Sequence, residues 1–239
     1  MIDILYLAKG RPEFTRASTL ALYYNTPAAL YDWVAVPPAD SPVGVMQNYL
    51  SHTGRDIFAK IDNDTIVPPG WLEQCLAVME AHPELDLLGI EPPRSRTPNP
   101  ANGRKAPIPE DDVTKLRRDL QARAEEYQGY ACEIQKQVGY AACDSVGGIG
   151  LFRRRAFYRF PDLKAHSTYG GFTDWQLRHP EITKGWIVPP LKLFLLDRLP
   201  VEPWASLSKR YIAEGAQRAW TAYRPEDHEL WDWWLKEKP

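Results

Sequence analysis

Asp62, Asn63 and Asp64 close an apolar run, Asp56 to Ile61, and two carboxylates one residue apart at such a point can hold a hard divalent cation beside a diphosphate. The cation would neutralise charge on a departing nucleotide. The same three residues also suit an Asx turn, since Asp and Asn side chains bond readily to nearby backbone. A calcium EF-hand is a poor alternative, because the glycine that such a loop needs is missing.

A second group is Gly170-Gly171-Phe172-Thr173-Asp174-Trp175-Gln176. Thr173 and Gln176 have capping-box spacing, which predicts a helix start with Asp174 in its first turn. The helix dipole there favours the ionised carboxylate, and an ionised, positioned carboxylate can take a proton from a hydroxyl. Stabilising the dipole is the plainer use of that position.

The third group, Gly147-Gly148-Ile149-Gly150, allows backbone to approach a ligand closely. It fits neither the dinucleotide fingerprint nor a Walker loop, and a tight bend or bulge serves equally well. The five histidines are scattered with no HExxH pairing, which argues against a zinc hydrolase. Near the end, Trp204, Tyr211, Trp220, Tyr223, Trp231, Trp233 and Trp234 could stack on a sugar or a base, although helical spacing assigns most of them to packing. Ser208-Lys209-Arg210 is read as a solvated helical face within reach of a diphosphate or an acidic acceptor.

The elements that must position these groups follow from periodicity. Ile2 to Ala8 reads as a buried strand, Gly10-Arg11-Pro12 as a turn, and Pro12 to Tyr24 as a helix with Phe14, Ala17, Ala21 and Tyr24 on one face. Trp33 to Val36 reads as a second strand that ends in a proline-rich turn containing Asp40, and Asp56 to Ile61 as a third. Leu72, Leu76 and Met79 mark a helix ending at His82-Pro83, and Leu85 to Ile90 returns as a strand. Strands alternating with helices imply a largely parallel sheet flanked by helices.

Residues 91–109 are rich in Pro, Arg, Asn and Ser and read as a loop, followed by a helix bearing Val113, Leu116, Leu120 and Tyr127. This stretch, about 91–130, looks inserted. Ile134 to Ala142 reads as a further strand. The expected organisation is a single α/β domain over 1–200 and a Trp-rich helical extension over 201–239.

A chain of 239 residues, 44% hydrophobic, can bury one sizeable core. A formal charge of -2 offers no global attraction to nucleic acid or anionic lipid. Cys75, Cys132 and Cys143 lack CxxC spacing, so no disulfide framework is expected and a reducing, cytoplasmic setting fits. No apolar run is long enough to span a membrane.

In their order along the chain, KGRPEF after the first strand, AKIDNDTIVPPGWL, GGIGLFRRRAF and GGFTDWQ resemble the family 2 glycosyltransferases and their GT-A relatives. The resemblance spans most of residues 1 to 200. It implies a Rossmann-like GT-A domain with a nucleotide-sugar pocket at the carboxyl ends of the strands, lined by Leu7, Lys9, Arg11 and Asp40. Asp62 would contact the ribose or the metal, Asp64 would ligate a metal, Mn2+ or Mg2+, that bridges the diphosphate, and Gly148 would line the sugar. Asp174 falls where inverting members carry their base, with Thr173 in place of a second acidic residue. Asp197, after the apolar run from Ile187, takes the place of the family's third metal ligand, often a histidine; a surface ion pair is the alternative use.

The resemblance thus implies a glycosyltransferase taking a nucleotide-diphosphate sugar, a UDP-sugar first, with Lys9, Arg11 or Lys209 stabilising the leaving diphosphate. The acceptor would be a glycan, a lipid, a protein or a hydroxylated base in phage-type DNA, the last kept open by Arg94, Arg96, Arg104 and Lys105. A non-catalytic nucleotide-sugar or glycan-binding module is the reading from another class. A nucleotidyltransferase fits poorly, since only Gly10 follows the first strand.

Overall fold

The computed structural model describes residues 1–52, 54–90, 139–164, 170–188, 191, 193–198, 202–213 and 221–222. The inserted loop and helix of 91–130, the basic residues Arg94, Arg96, Arg104 and Lys105, and the tryptophans beyond Thr221–Ala222 lie outside these residues.

Strand β1 is Ile2–Ala8, and Gly10, at φ 50, turns the chain into helix α1, Pro12–Asn25, whose first-turn proline suits a helix start. Strand β2, Tyr31–Trp33, is followed by α2, Pro42–Leu50. Its start is a side-chain cap, with the Gly44 N–H donating to Ser41 Oγ at 3.0 Å. Next come β3, Ile57–Asp62, the two-residue strand β4, Thr65–Ile66, and α3, Trp71–Ala81. The remaining elements are β5, Leu87–Gly89; β6, Gly139–Ala142; β7, Gly150–Arg153; α4, Arg154–Arg159; α5, Gly170–Arg178; β8, Lys184–Val188; β9, Phe194–Leu195; α6, Trp204–Ala213; and β10, Thr221–Ala222.

The central sheet runs β10-β1-β3-β7-β5-β8-β6, with β2 also paired to β1. The pairs β1–β2, β1–β3 and β5–β8 are parallel, whereas β3–β7, β5–β7, β6–β8 and β1–β10 are antiparallel. Strands β1, β2, β3, β5 and β8 thus run one way and β7, β6 and β10 the other, so the expected largely parallel sheet carries three opposed strands. Apolar periodicity reports that a strand is buried and carries nothing about its direction. In the C-terminal part, the helix α6 is followed by β10, which adds a two-residue strand to β1. The second strand begins two residues before its expected start, with Tyr31 buried against Tyr6 and Trp33.

Alternation along β1 sends Ile2, Ile4 and Tyr6 to one face and Leu5 and Leu7 to the other. The first face is covered by α1 and α3, through Leu22, Trp71, Leu72, Cys75, Val78 and Met79. The second is covered by α2, α4 and α5, through Met46, Tyr49, Phe157, Phe172 and Trp175. Two cores on one sheet make a three-layer α/β arrangement. The α5 layer is anchored by stacking of Trp175 on Phe157, with centroids 4.9 Å apart and planes 5° from parallel.

At Gly150 a Cβ would collide with the backbone carbonyl of Leu88, so glycine is required where β7 crosses close to β5. Helix α6 packs Trp204, Leu207 and Tyr211 against Phe14 of α1 and against Leu196. Cys75 and Cys143 are free thiols. Among the described residues no helix is long and apolar enough to cross a membrane.

Candidate functional site

The chain passes from β1 over one face to β2 on one side, then over the other face to β3 on the opposite side. The carboxyl ends of β1 and β3 therefore lie side by side, and ligands of open α/β sheets bind at the carboxyl ends of the strands. The register places Leu7 beside Asp62, so the β1 end adjoins the acidic turn.

Asn63 fixes the acidic turn. It is 1% exposed, and its Nδ2 donates to Thr15 Oγ1 of α1 at 2.9 Å. Ser18 Oγ also donates to the Thr65 carbonyl at 2.5 Å. With the middle residue pinned against α1, the two flanking carboxylates take different partners. Asp62 accepts from Lys60 Nζ at 2.7 Å, and Asp64 accepts from Arg11 Nη1 at 3.3 Å. Lys60 is itself buried, and its ammonium also donates to the Gly148 carbonyl at 2.6 Å. The acidic turn and the glycine segment thus share one cation.

Strand β4 pairs antiparallel with β9, Thr65 opposite Leu195, and the Leu196 N–H donates to the Asp64 carbonyl at 2.7 Å. This small sheet brings Asp197 to the acidic turn. Ser208 Oγ of α6 donates to the Asp197 carbonyl at 2.9 Å and holds that backbone from behind. Burial, then the charges of Asp197 and Asp62, push the Asp64 carboxyl up from 3.8 to about 7, against the opposing pull of Arg11.

Of the residues singled out in the sequence, Leu7, Arg11, Asp62, Asp64, Asp197 and Gly148 are brought together. Lys9 follows at the half-buried end of β1. Asp40 is exposed in the turn before Ser41, and none of the contacts among the described residues ties it to the acidic turn.

Asp174 is exposed on α5, where Arg178 Nε donates to it at 3.0 Å. It is not in the first turn: α5 begins at Gly170, which makes Asp174 its fifth residue. The capping box is corrected with it. Gln176 instead turns inward, accepting from the Val146 N–H at 2.8 Å and donating to the Val146 carbonyl at 3.1 Å. In this way α5 is locked to the start of the glycine segment.

Sequence reasoning passed over Lys60 and Asn63. A lysine flanked by Ala59 and Ile61 in a buried strand is a legible anomaly, since an isolated buried ammonium needs an acidic or carbonyl partner. Asn63 gave no signal beyond turn propensity.

Among the described residues, no group of three or more His, Cys, Asp or Glu side chains is arranged to hold a metal ion by itself. The donor set suits a different arrangement. Asp64 lies beside the charges of Asp62 and Asp197, and magnesium-type cations commonly take one or two carboxylates and complete their shell with substrate phosphates. The residues present fit a cation shared with a diphosphate, not a protein cage. Comparison with protein-family profiles, with curated proteins and with solved structures finds no match to this chain.

Proposed function

We propose that this chain is a GT-A type, metal-dependent glycosyltransferase that moves a sugar from a nucleotide diphosphate, UDP first, onto an acceptor hydroxyl. The observation that carries the reading is the gathering of Asp62, Asp64 and Asp197 at the carboxyl ends of β1 and β3, with Arg11 and Lys60 among them. Two carboxylates on a pinned turn, at the point where an open sheet binds ligands, make a binding site for a cation and a diphosphate more economical than an Asx turn alone.

In this reading Asp64, with Asp62 and Asp197 beside it, holds Mn2+ or Mg2+. The bound metal supplies charge neutralisation at the diphosphate as the glycosidic bond breaks. Arg11 and Lys9 add positive charge on the leaving-group side. The nucleotide side is formed by the backbone at the end of β1, since the Leu7 side chain is buried in the core. At Gly148, where among the described residues only Lys60 Nζ lies within 4 Å of where a Cβ would sit, the missing side chain leaves room for the sugar.

Asp174 is assigned as the base that receives the acceptor proton, with inversion at the anomeric carbon. Two features support this. Gln176 registers α5 to the glycine segment, and Arg178 also pairs with Asp162, so releasing Asp174 leaves the guanidinium neutralised. The exposed Asp174–Arg178 pair is worth little and costs little to open.

The test is a thermal-shift screen of nucleotide diphosphates with and without Mn2+, repeated on Asp64→Ala, because a ligand binding only the folded chain raises Tm. Stabilisation by one nucleotide that requires Mn2+ and disappears in the variant is the expected result. No shift with any nucleotide sinks the reading. Release of free sugar from a UDP-sugar separates an enzyme from a binding module.

A further inference from the structure

Arg11 neighbours the acidic turn, and a guanidinium is also a strong phosphate-binding group. Its Nη1 donates to Asp64 at 3.3 Å in a setting where the two side chains are only 16% and 13% exposed. A guanidinium in that position holds part of the carboxylate that a cation would need. We propose that Arg11 is a built-in counter-ion for Asp64 that a divalent cation displaces, so that metal binding hands the guanidinium to the diphosphate and makes the two ligands bind cooperatively. The inference rests on the glycosyltransferase reading and deepens it.

Three features of the surroundings favour an exchange over a fixed structural pair. The Arg11 backbone is anchored, since its carbonyl accepts from the Thr15 N–H at 2.9 Å in the first turn of α1, so the side chain can turn without moving the helix. The nearest alternative carboxylate on the same turn, Glu13, is engaged by Tyr211 Oη and by Arg210 of α6 at 2.7 Å. Arg11 is thereby steered to Asp64 when no diphosphate is present, and is not retained by Glu13 when one arrives. Finally, Asp64 is pressed by the charges of Asp62 and Asp197, and a doubly charged ion relieves that repulsion better than one guanidinium. The released guanidinium carries a planar fork of donors suited to phosphate oxygens.

Cooperativity of this kind is reciprocal, so it can be read from binding without turnover. Mn2+ alone is titrated into the wild type and Arg11→Met with free Mn2+ followed by electron paramagnetic resonance, and UDP is titrated by calorimetry with and without saturating Mn2+. The wild type is expected to bind UDP about tenfold tighter with Mn2+, within the usual range of coupling between sites. Arg11→Met is expected to bind Mn2+ alone several-fold tighter and to lose most of the UDP enhancement. Arg11→Lys, which keeps a charge on the same turn, guards against misfolding and is expected to fall between the two. Wild type and Arg11→Met with equal affinity for Mn2+ alone, while UDP still binds, overturn the counter-ion role and leave the glycosyltransferase reading standing. If neither Mn2+ nor UDP binds the wild type, both fall together.

Discussion

Lys60 and Gly148 are joined by a 2.6 Å hydrogen bond from ammonium to carbonyl, and the same ammonium holds Asp62 at 2.7 Å. One buried cation therefore ties the turn after β3 to the segment before β7, two parts of the chain separated by the whole inserted stretch.

Removing that cation leaves an anion and a carbonyl without their shared donor. Lys60→Met is expected to lower stability by about 2–3 kcal/mol, the usual loss when one partner of a charged hydrogen bond is deleted. Denaturant midpoints for Lys60→Met, Asp62→Asn and the double variant check it. The double variant should cost clearly less than the sum of the single variants, and strict additivity would show that the pair is not coupled.

The raised Asp64 carboxyl gives a signed pH dependence. Its native value near 7 stands above the ordinary 3.8, so between those limits the folded chain holds a proton that the unfolded chain has released. Stability from this group is present at about pH 4, falls as pH rises toward 7, and is level above that. Asp64→Asn should flatten the profile and make the metal-free protein more stable than the wild type at pH 8. Urea unfolding at pH 5 and pH 8 decides it. A wild-type advantage at pH 8 would mean that the Arg11 pair outweighs the repulsion.

Gln176 satisfies both backbone groups of Val146 from a fully buried position. Gln176→Leu keeps the bulk but leaves a buried N–H and C=O orphaned, which should cost about 3 kcal/mol. Because the change also frees the glycine segment, any UDP-induced rise in Tm should shrink with it. An unchanged denaturant midpoint would show that Val146 finds other partners.

Asp174→Asn should separate chemistry from folding. Loss of a positioned base typically lowers turnover about 10²- to 10⁴-fold, whereas an exposed ion pair contributes less than about 1 kcal/mol. Single-turnover sugar transfer and Tm are measured on the same preparation. Full turnover in the variant would move the base to another residue.

Much of the frame was legible in residue order. β1, the turn at Gly10, α1, β3 and the acidic turn follow from one apolar run, one helical stripe and the residues that interrupt them. α2 was passed over although Ser41 followed by Pro42 is a sound helix-start signal, because the prolines before it read as a turn. The direction of β7 was not legible, since a short buried strand looks the same either way. The start of α5 was misplaced because Thr173 and Gln176 mimic a cap, while the true constraint on Gln176 is a distant one, the backbone of Val146. Arg11 and Asp64 each carried a signal as a separate ligand, yet their pairing depends on the β1–β3 register and on α1 returning over the sheet, which no local pattern encodes.

The antiparallel seat of β7 beside β3 has a consequence for how the chain comes to be folded. Residues 57–60 find their partners only at 150–153, and Leu7 and Ala8 wait for residues 221–222. During synthesis the first strands emerge long before the strand that seals the middle of the sheet exists, so the open edge of β3 is exposed to solvent and to other chains for most of that time. Pairings between such distant residues also make for slow closure. The acidic turn is therefore among the earliest parts of the chain to be made and among the last to be completed, since the Gly148 carbonyl that Lys60 needs arrives with β7.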